Sequence, residues 1–528
     1  MRTIWKPSAI AMSVLVGIFA SVGSAQAATL NFNRQVNLVQ PAPFPQNKQN
    51  EPSITQNPTN ALNLVAGAND EIDEPGCTSS GCPFVTNVGG SGVYFSTDGG
   101  ASWSQFSAPA GGDNNASFNN GTIHTLPGFG KLARQLGIPG LASDGDPSLA
   151  FSLDGTVYYG SLAGVRGVAT NSELLTVSRS TDGGQSWSDP VLATDKTNPV
   201  DFNDKIDLWV DRSPTSPFKG TVYVSWTLFK GPPGRAEPIM LSRSTDGGQT
   251  FSPAQQVTPA HNNNEIGGRQ GSAIRTAPNG DVYVFFESGT QINGAKTDAQ
   301  MFVKSTDGGR SFSIQAVASP VASIPSPLPG ASFRNDSFPS VDIGPDGKVF
   351  VAWADFRSGR SLVMLTTSAT GGASWTPAVV VLDVAGRSAF FPGVAVTPDG
   401  SKVSIATQAL DAVPAGTAPG AGVVHYASYL AESVNGGGGF SAPHKISSAS
   451  SDPDGSSTNG LTAQFQGDYN TLISDNQHAW FIWTDARSAT PCAAVDAFRA
   501  GTGPQPNVPA SCAGTFGNTD ILVGRVSL

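Results

Sequence analysis

Charged residues are scarce in this chain: Asp, Glu, Lys and Arg together make up 13% of its 528 residues. Against that scarcity stand 61 Gly and 39 Pro, a balance that suits many short strands and turns rather than helices. Positive charge is the rarer sign, with 30 Lys and Arg against 40 Asp and Glu, for a net charge of −10. Such a balance argues against nucleic acid or an anionic membrane as the partner. Beyond the first 27 residues no apolar run is long enough to cross a bilayer. The five histidines, His124, His261, His425, His444 and His478, show no metal-ligand spacing, so no metal and no cofactor is expected. Asp452-Pro453-Asp454 and Asn69-Asp70-Glu71 are rich in oxygen but lack the EF-hand pattern, and read as solvated loop. The GxSxG nucleophile elbow and the phosphate-binding glycine loop are both missing, which removes serine-hydrolase and NTPase readings.

Cysteine is also rare. Cys77 and Cys82 form one local pair and Cys492 and Cys512 another, each in a Gly- and Ser-rich loop. Three connectivities are possible, and two local disulfides are the expectation for an exported chain. Export is read from residues 1–27: Arg2 and Lys6 are basic, Ile10 to Ala20 is apolar, and Ala25-Gln26-Ala27 is a small-residue cleavage site. A secreted (periplasmic or extracellular) protein of residues 28–528 is expected.

What the chain has in abundance is one repeat. STDGGASWS at Ser96, STDGGQSWS at Ser180, STDGGQTFS at Ser244 and STDGGRSFS at Ser305 are four clean copies. SATGGASW at Ser368 and SVNGGGGFS at Ser433 are weaker echoes, with Ala369 or Thr370, and Asn435, where the Asp belongs. An Asp can accept from backbone amides just beyond it, and the two glycines permit the positive φ of a tight turn. The Trp or Phe that follows then drops into an apolar layer. A second repeat counts units. Seven segments, EPSIT at Glu51, DPSLAF at Asp146, DLWVD at Asp207, QGSAIR at Gln270, FPSVDI at Phe338, FPGVAV at Phe390 and GDYNTL at Gly467, each open a β-type run. Most are followed by a turn and an alternating strand such as Thr221 to Trp226 or Lys348 to Trp353.

The Ser-Thr-Asp-Gly-Gly turns resemble the Asp-box, or BNR repeat, of sialidases and related β-propellers, and their structural carboxylates are Asp98, Asp182, Asp246 and Asp307. The expected fold is all-β: a single propeller over 28–528 with seven four-stranded blades, six blades plus a separate sheet being the alternative. The last unit lacks a strand, and Gln35 to Val39 is expected to supply it and close the ring. Three long insertions, near 105–145, 319–335 and 487–518, are expected either to bind or cover a site, or to be flexible coil. A monomer is expected.

Residues just upstream of each innermost strand should converge on the channel mouth. Among them are Glu51, Asp146, Arg269, Arg334, Arg387, Asp468 and Tyr469. Guanidinium forks suit a sugar acid, so Arg269, Arg334 and Arg387 are the candidate substrate clamp. Tyr469 beside Asp468, with Glu51 and Asp146 opposite, is the candidate catalytic set: a carboxylate can draw off a phenol proton, and two carboxylates can hydrolyse a glycoside. The Phe/Tyr-Arg-Ile-Pro motif of sialidases is absent, since the first inner segment reads QNEPSITQNP. The resemblance therefore implies architecture, and the chemistry rests on position. It implies a sialidase-like exo-glycosidase acting on sialic or uronic acid glycans. The alternative is a non-catalytic propeller that binds glycan or protein.

Overall fold

The computed structural model describes residues 29–38, 43–111, 116–168, 173–194, 201–231, 235–414, 416–418 and 424–528. The proposed export segment, 1–27, lies outside them. Seven antiparallel sheets follow one another along the chain. Their innermost strands are Gln49–Gln56, Ser148–Phe151, Phe202–Val210, Arg269–Thr276, Ser340–Ile343, Ser388–Val396 and Thr471–Ser474, which define blades 1 to 7. Each innermost strand touches the next, and that of blade 7 touches that of blade 1, so the ring closes. In blade 2 a short extra segment, Ala142–Ser143, extends the innermost position.

Blade 7 is completed by the start of the chain. Thr29–Gln35 pairs antiparallel with Asp520–Ser527 as the outermost strand. This corrects the expected segment Gln35–Val39: of its described residues, 35–38, only Gln35 belongs to the closing strand. Beyond it, the amide of Val36 donates to the Ile521 carbonyl, and Asn37 turns inward to hydrogen-bond Asp520 and Gln49.

The core is divided among the blade interfaces. Seven apolar clusters each draw on two neighbouring blades, as where Ile54 and Leu64 of blade 1 meet Trp480 and Ile521 of blade 7. Alternation of side chains in a pleated strand gives each blade two apolar faces, and stacking buries both. The repeat turns reinforce this. In each clean turn the Asp accepts from the backbone and side chain of the residue four positions on, as Asp182 does from Ser186 N (2.9 Å). The aromatic that follows packs into the interface with the preceding blade: Trp103, Trp187, Phe251, Phe312, Trp375 and Phe440 all do so. Thr370, rather than Ala369, replaces Asp in the fifth turn, its hydroxyl accepting from Ser374 N at 2.8 Å. Asn435 accepts from Gly438 N and from the Ser433 hydroxyl.

The insertions are packed. The first carries the helix Phe129–Leu136, whose Phe129 and Leu132 join the interface of blades 1 and 2. The second begins later than expected, because Ala316–Val321 is the outer strand of blade 4; its Leu328 and Phe333 cover Phe390 and Tyr426. The third carries the disulfide Cys492–Cys512, and it shares a cluster with Phe44 and the disulfide Cys77–Cys82.

Candidate functional site at the channel mouth

Innermost strands begin at one mouth of the central channel, and a repeated irregularity aims side chains there. In blades 1, 3, 4 and 6 the pairing slips by a bulge within the innermost strand. Inside each bulge sits a residue of positive φ: Glu51 (55°), Lys205 (53°), Gly271 (67°) and Phe391 (50°). Asp146 (49°) does the same in blade 2. A non-glycine side chain held left-handed costs roughly 1–2 kcal/mol, and such strain clusters where a side chain must be aimed. Blade 4 has glycine because Phe338 fills the space, a Cβ there lying 2.4 Å from its ring. Tyr469, two residues before the first strand of blade 7, completes the level.

The polar members of this ring touch. Glu51 hydrogen-bonds Asp146, and Asp146 in turn hydrogen-bonds Asp204, so three carboxyls from blades 1, 2 and 3 form one chain. Adjacent carboxyls can bond only by sharing protons. Asn69 donates to Glu51 Oε2 (2.8 Å), and its Oδ1 accepts from the amide of Asp146 (2.8 Å), locking the pair together. The Lys205 amide donates to both Asp146 and Asp204. Burial, then the charge of Asp468, pushes Glu51 up to about 7. Burial and the charge of Glu51 push Asp146 well above the usual carboxylate range. Burial and Asp146 push Asp204 up to about 8.

Tyr469 lies against this chain. Its hydroxyl is buried and has no hydrogen-bond partner among the described residues, and burial together with the surrounding carboxylates, Asp146 first, holds the phenol well above its usual value. The ammonium of Lys205 sits 4.3 Å from the centre of the Tyr469 ring. Asp468, the neighbour of Tyr469, is gripped by Arg334 through Nε (2.7 Å) and Nη2 (2.5 Å). Arg334 Nη1 makes no such bond among the described residues, and the side chain is 59% exposed. Burial and the charge of Asp468 push the neighbouring Asp336 up to about 6.

The three arginines do not converge. Arg387 pairs with Asp411 and lies near Tyr429, within blade 6. Arg269 is fully buried, with Nε on Gln315 (3.2 Å) and two unpartnered nitrogens. Of the three, Arg334 is the one whose charge acts on Glu51 and Asp204, and the arginines expected to form one clamp have separate partners. Two residues escaped the sequence reading. Glu173, at the start of the third strand of blade 2, adds a buried carboxyl beside Asp144, Asp204 and Asp146. Arg166 is a buried hub that pairs with Glu71 (2.9 Å), Glu74 (3.0 Å) and Asp144 (2.7 Å). Neither sits in a repeat, so no local pattern marks them.

A cavity of about 100 Å³ on the axis is lined by all seven blades and reaches Lys205, Asp336, Asp468 and Tyr469. Among the described residues no group of three or more His, Cys, Asp or Glu is arranged to hold a metal.

No family model and no curated protein matches this sequence. Solved structures share its fold alone. A Hadza microbial sialidase is 17% identical, covering 65% of this chain and 63% of its own, with a TM-score of 0.41. An α-L-arabinofuranosidase from Fusarium graminearum is 14% identical over 72% of this chain and 92% of its own, TM-score 0.42. An ulvan lyase is 10% identical over 85% and 93%, TM-score 0.43.

Proposed function

We propose that this propeller is a secreted glycoside hydrolase that works at the bulged mouth of its channel on glycans bearing a sugar acid. The observation that carries the reading is the proton-sharing chain Glu51, Asp146 and Asp204 beside the unpartnered Tyr469 hydroxyl. Burial and the charge of Glu51 hold Asp146 well above the usual carboxylate range, which favours the protonated form that can donate to a leaving glycosidic oxygen. Glu51, poised near 7, is placed to exchange protons with it. Tyr469 is the candidate nucleophile, with Lys205 over its ring to favour the phenolate as it forms. The free edge of Arg334 is the docking point for the substrate carboxylate.

One observation favours the second reading, a non-catalytic binding propeller: Arg334 is already neutralised by Asp468 in a two-bond grip. The test is hydrolysis of a fluorogenic sialoside, a uronide and neutral glycosides by the purified chain, beside Tyr469→Phe and Glu51→Gln. Turnover of an acidic substrate that both variants abolish supports the enzyme. Silence across every substrate from folded protein transfers the reading to the binding module.

A further inference from the structure

The channel has a second cavity at its other mouth, where the innermost strands end. It encloses about 430 Å³ and is lined from all seven blades and the turns that follow them. About half of that lining is aliphatic or proline, including Ile54, Leu149, Leu208, Ile343, Val396 and Ile473. A cavity of this volume, with aliphatic strand ends interleaved with convergent polar groups, has the character of a small-molecule site.

The polar groups are unequal. Asp207 is used up: it accepts from the Ile274 amide (2.7 Å) and pairs with Arg275 (3.0 Å). Asp342 is likewise engaged by the amides of Ile343 (2.9 Å) and Val396 (2.8 Å). Arg212 has no such partner. Its guanidinium lies 4.5 Å from the centre of the Trp209 ring, which Arg275 also approaches to 4.5 Å, and it makes no hydrogen bond or ion pair among the described residues. Trp209 is itself fixed by its Nε1 bond to Thr276 (3.0 Å). Burial pushes the Arg212 guanidinium below its usual value, with Asp342 opposing and Arg275 reinforcing the shift. A cation held rigidly on an aromatic face, with its hydrogen-bonding edge unclaimed, is complementary to a carboxylate. The aliphatic strand ends around it are complementary to an apolar tail.

We propose that this exit cavity binds a small monocarboxylate with an apolar tail, its carboxylate on Arg212 and its tail along the strand ends. The proposal does not rest on whether the entry mouth is catalytic.

Titration calorimetry of the full chain with hexanoate, hexan-1-ol and acetate tests it. Hexanoate is expected to bind with a dissociation constant below about 1 mM, at least ten-fold tighter than hexan-1-ol or acetate. Arg212→Gln is expected to weaken hexanoate about 10-fold or more while leaving hexan-1-ol within two-fold. Ile343→Trp fills the cavity and is expected to abolish both. Circular dichroism melts confirm that each variant is folded, and should Ile343→Trp fail to fold, Arg212→Gln alone decides. Absence of hexanoate binding, equal affinity for hexanoate and hexan-1-ol, equal affinity for acetate, or an Arg212→Gln protein that binds hexanoate unchanged would each overturn the proposal.

Discussion

Lys205 of blade 3 lays its ammonium 4.3 Å from the ring centre of Tyr469 of blade 7, so one contact joins blades that are not neighbours in the ring. Both residues stand on the axial level that the bulges create. An ammonium over a partly desolvated ring contributes on the order of 1 kcal/mol. Lys205→Met is therefore expected to lower unfolding stability by about that amount, read from the urea midpoint, and to reduce turnover further than stability explains. Tyr469→Phe keeps the ring and the cation and removes only an unpartnered hydroxyl. Stability is expected to stay within about 0.5 kcal/mol, typical of changes that break no bond, while hydrolysis is lost.

The carboxyl chain makes stability depend on pH. Glu51 is raised from about 4.5 to about 7 on folding, so the folded state holds its proton more tightly than the unfolded one. Its stabilising contribution is complete below about pH 4.5 and is lost as pH rises through about 7, at about 1.4 kcal/mol per unit. Asp204, raised to about 8, extends the same sign upward. Melting temperature is expected to fall between pH 5 and pH 8, and Glu51→Gln to flatten that slope. A Glu51→Gln protein with the slope of the parent would show that the pair does not share a proton.

Each clean turn holds its shape through one carboxylate. Asp182→Ala removes the acceptor for Gln185 N, Ser186 N and the Ser186 hydroxyl. At about 1 kcal/mol for a net hydrogen bond, a loss of roughly 1–2 kcal/mol is expected, since the exposed donors recover water. Denaturant midpoints of the four clean-turn variants should fall together, because the turns are equivalent.

Ring closure rests on the first strand. Removing residues 1–35 leaves Asp520–Ser527 with an unpaired edge. The truncated chain is expected to aggregate, as free sheet edges do, which light scattering at matched concentration would reveal. A monodisperse truncated chain would mean that closure does not depend on Thr29–Gln35.

The disulfide Cys492–Cys512 closes a loop of about 20 residues, for which roughly 3 kcal/mol is expected. Reductant should make the 487–518 segment the first cleaved by protease. Cys77–Cys82 closes a far shorter loop and should matter less.

Local chemistry determined much of this protein in advance. Ser-Thr-Asp-Gly-Gly fixes a turn wherever it stands, because donor, acceptor and positive φ all lie within five residues. Alternating runs such as Thr221 to Trp226 fix strands, and seven such units fix seven blades. Close cysteine spacing likewise anticipated both disulfides. What the linear order could not decide is how axial side chains meet. Glu51, Asp146 and Asp204 are far apart in the chain, and their shared protons exist only because bulges in successive blades turn them to one point. The same bulges bring Lys205 over Tyr469, while Arg269 bonds Gln315 and Arg387 pairs with Asp411, so arginines that look equivalent in sequence are not equivalent in space. The cavity holding Arg212 has no motif at all. It arises where the ends of inner strands, each hydrophobic for its own packing, enclose a space around a cation that makes no ion pair among the described residues.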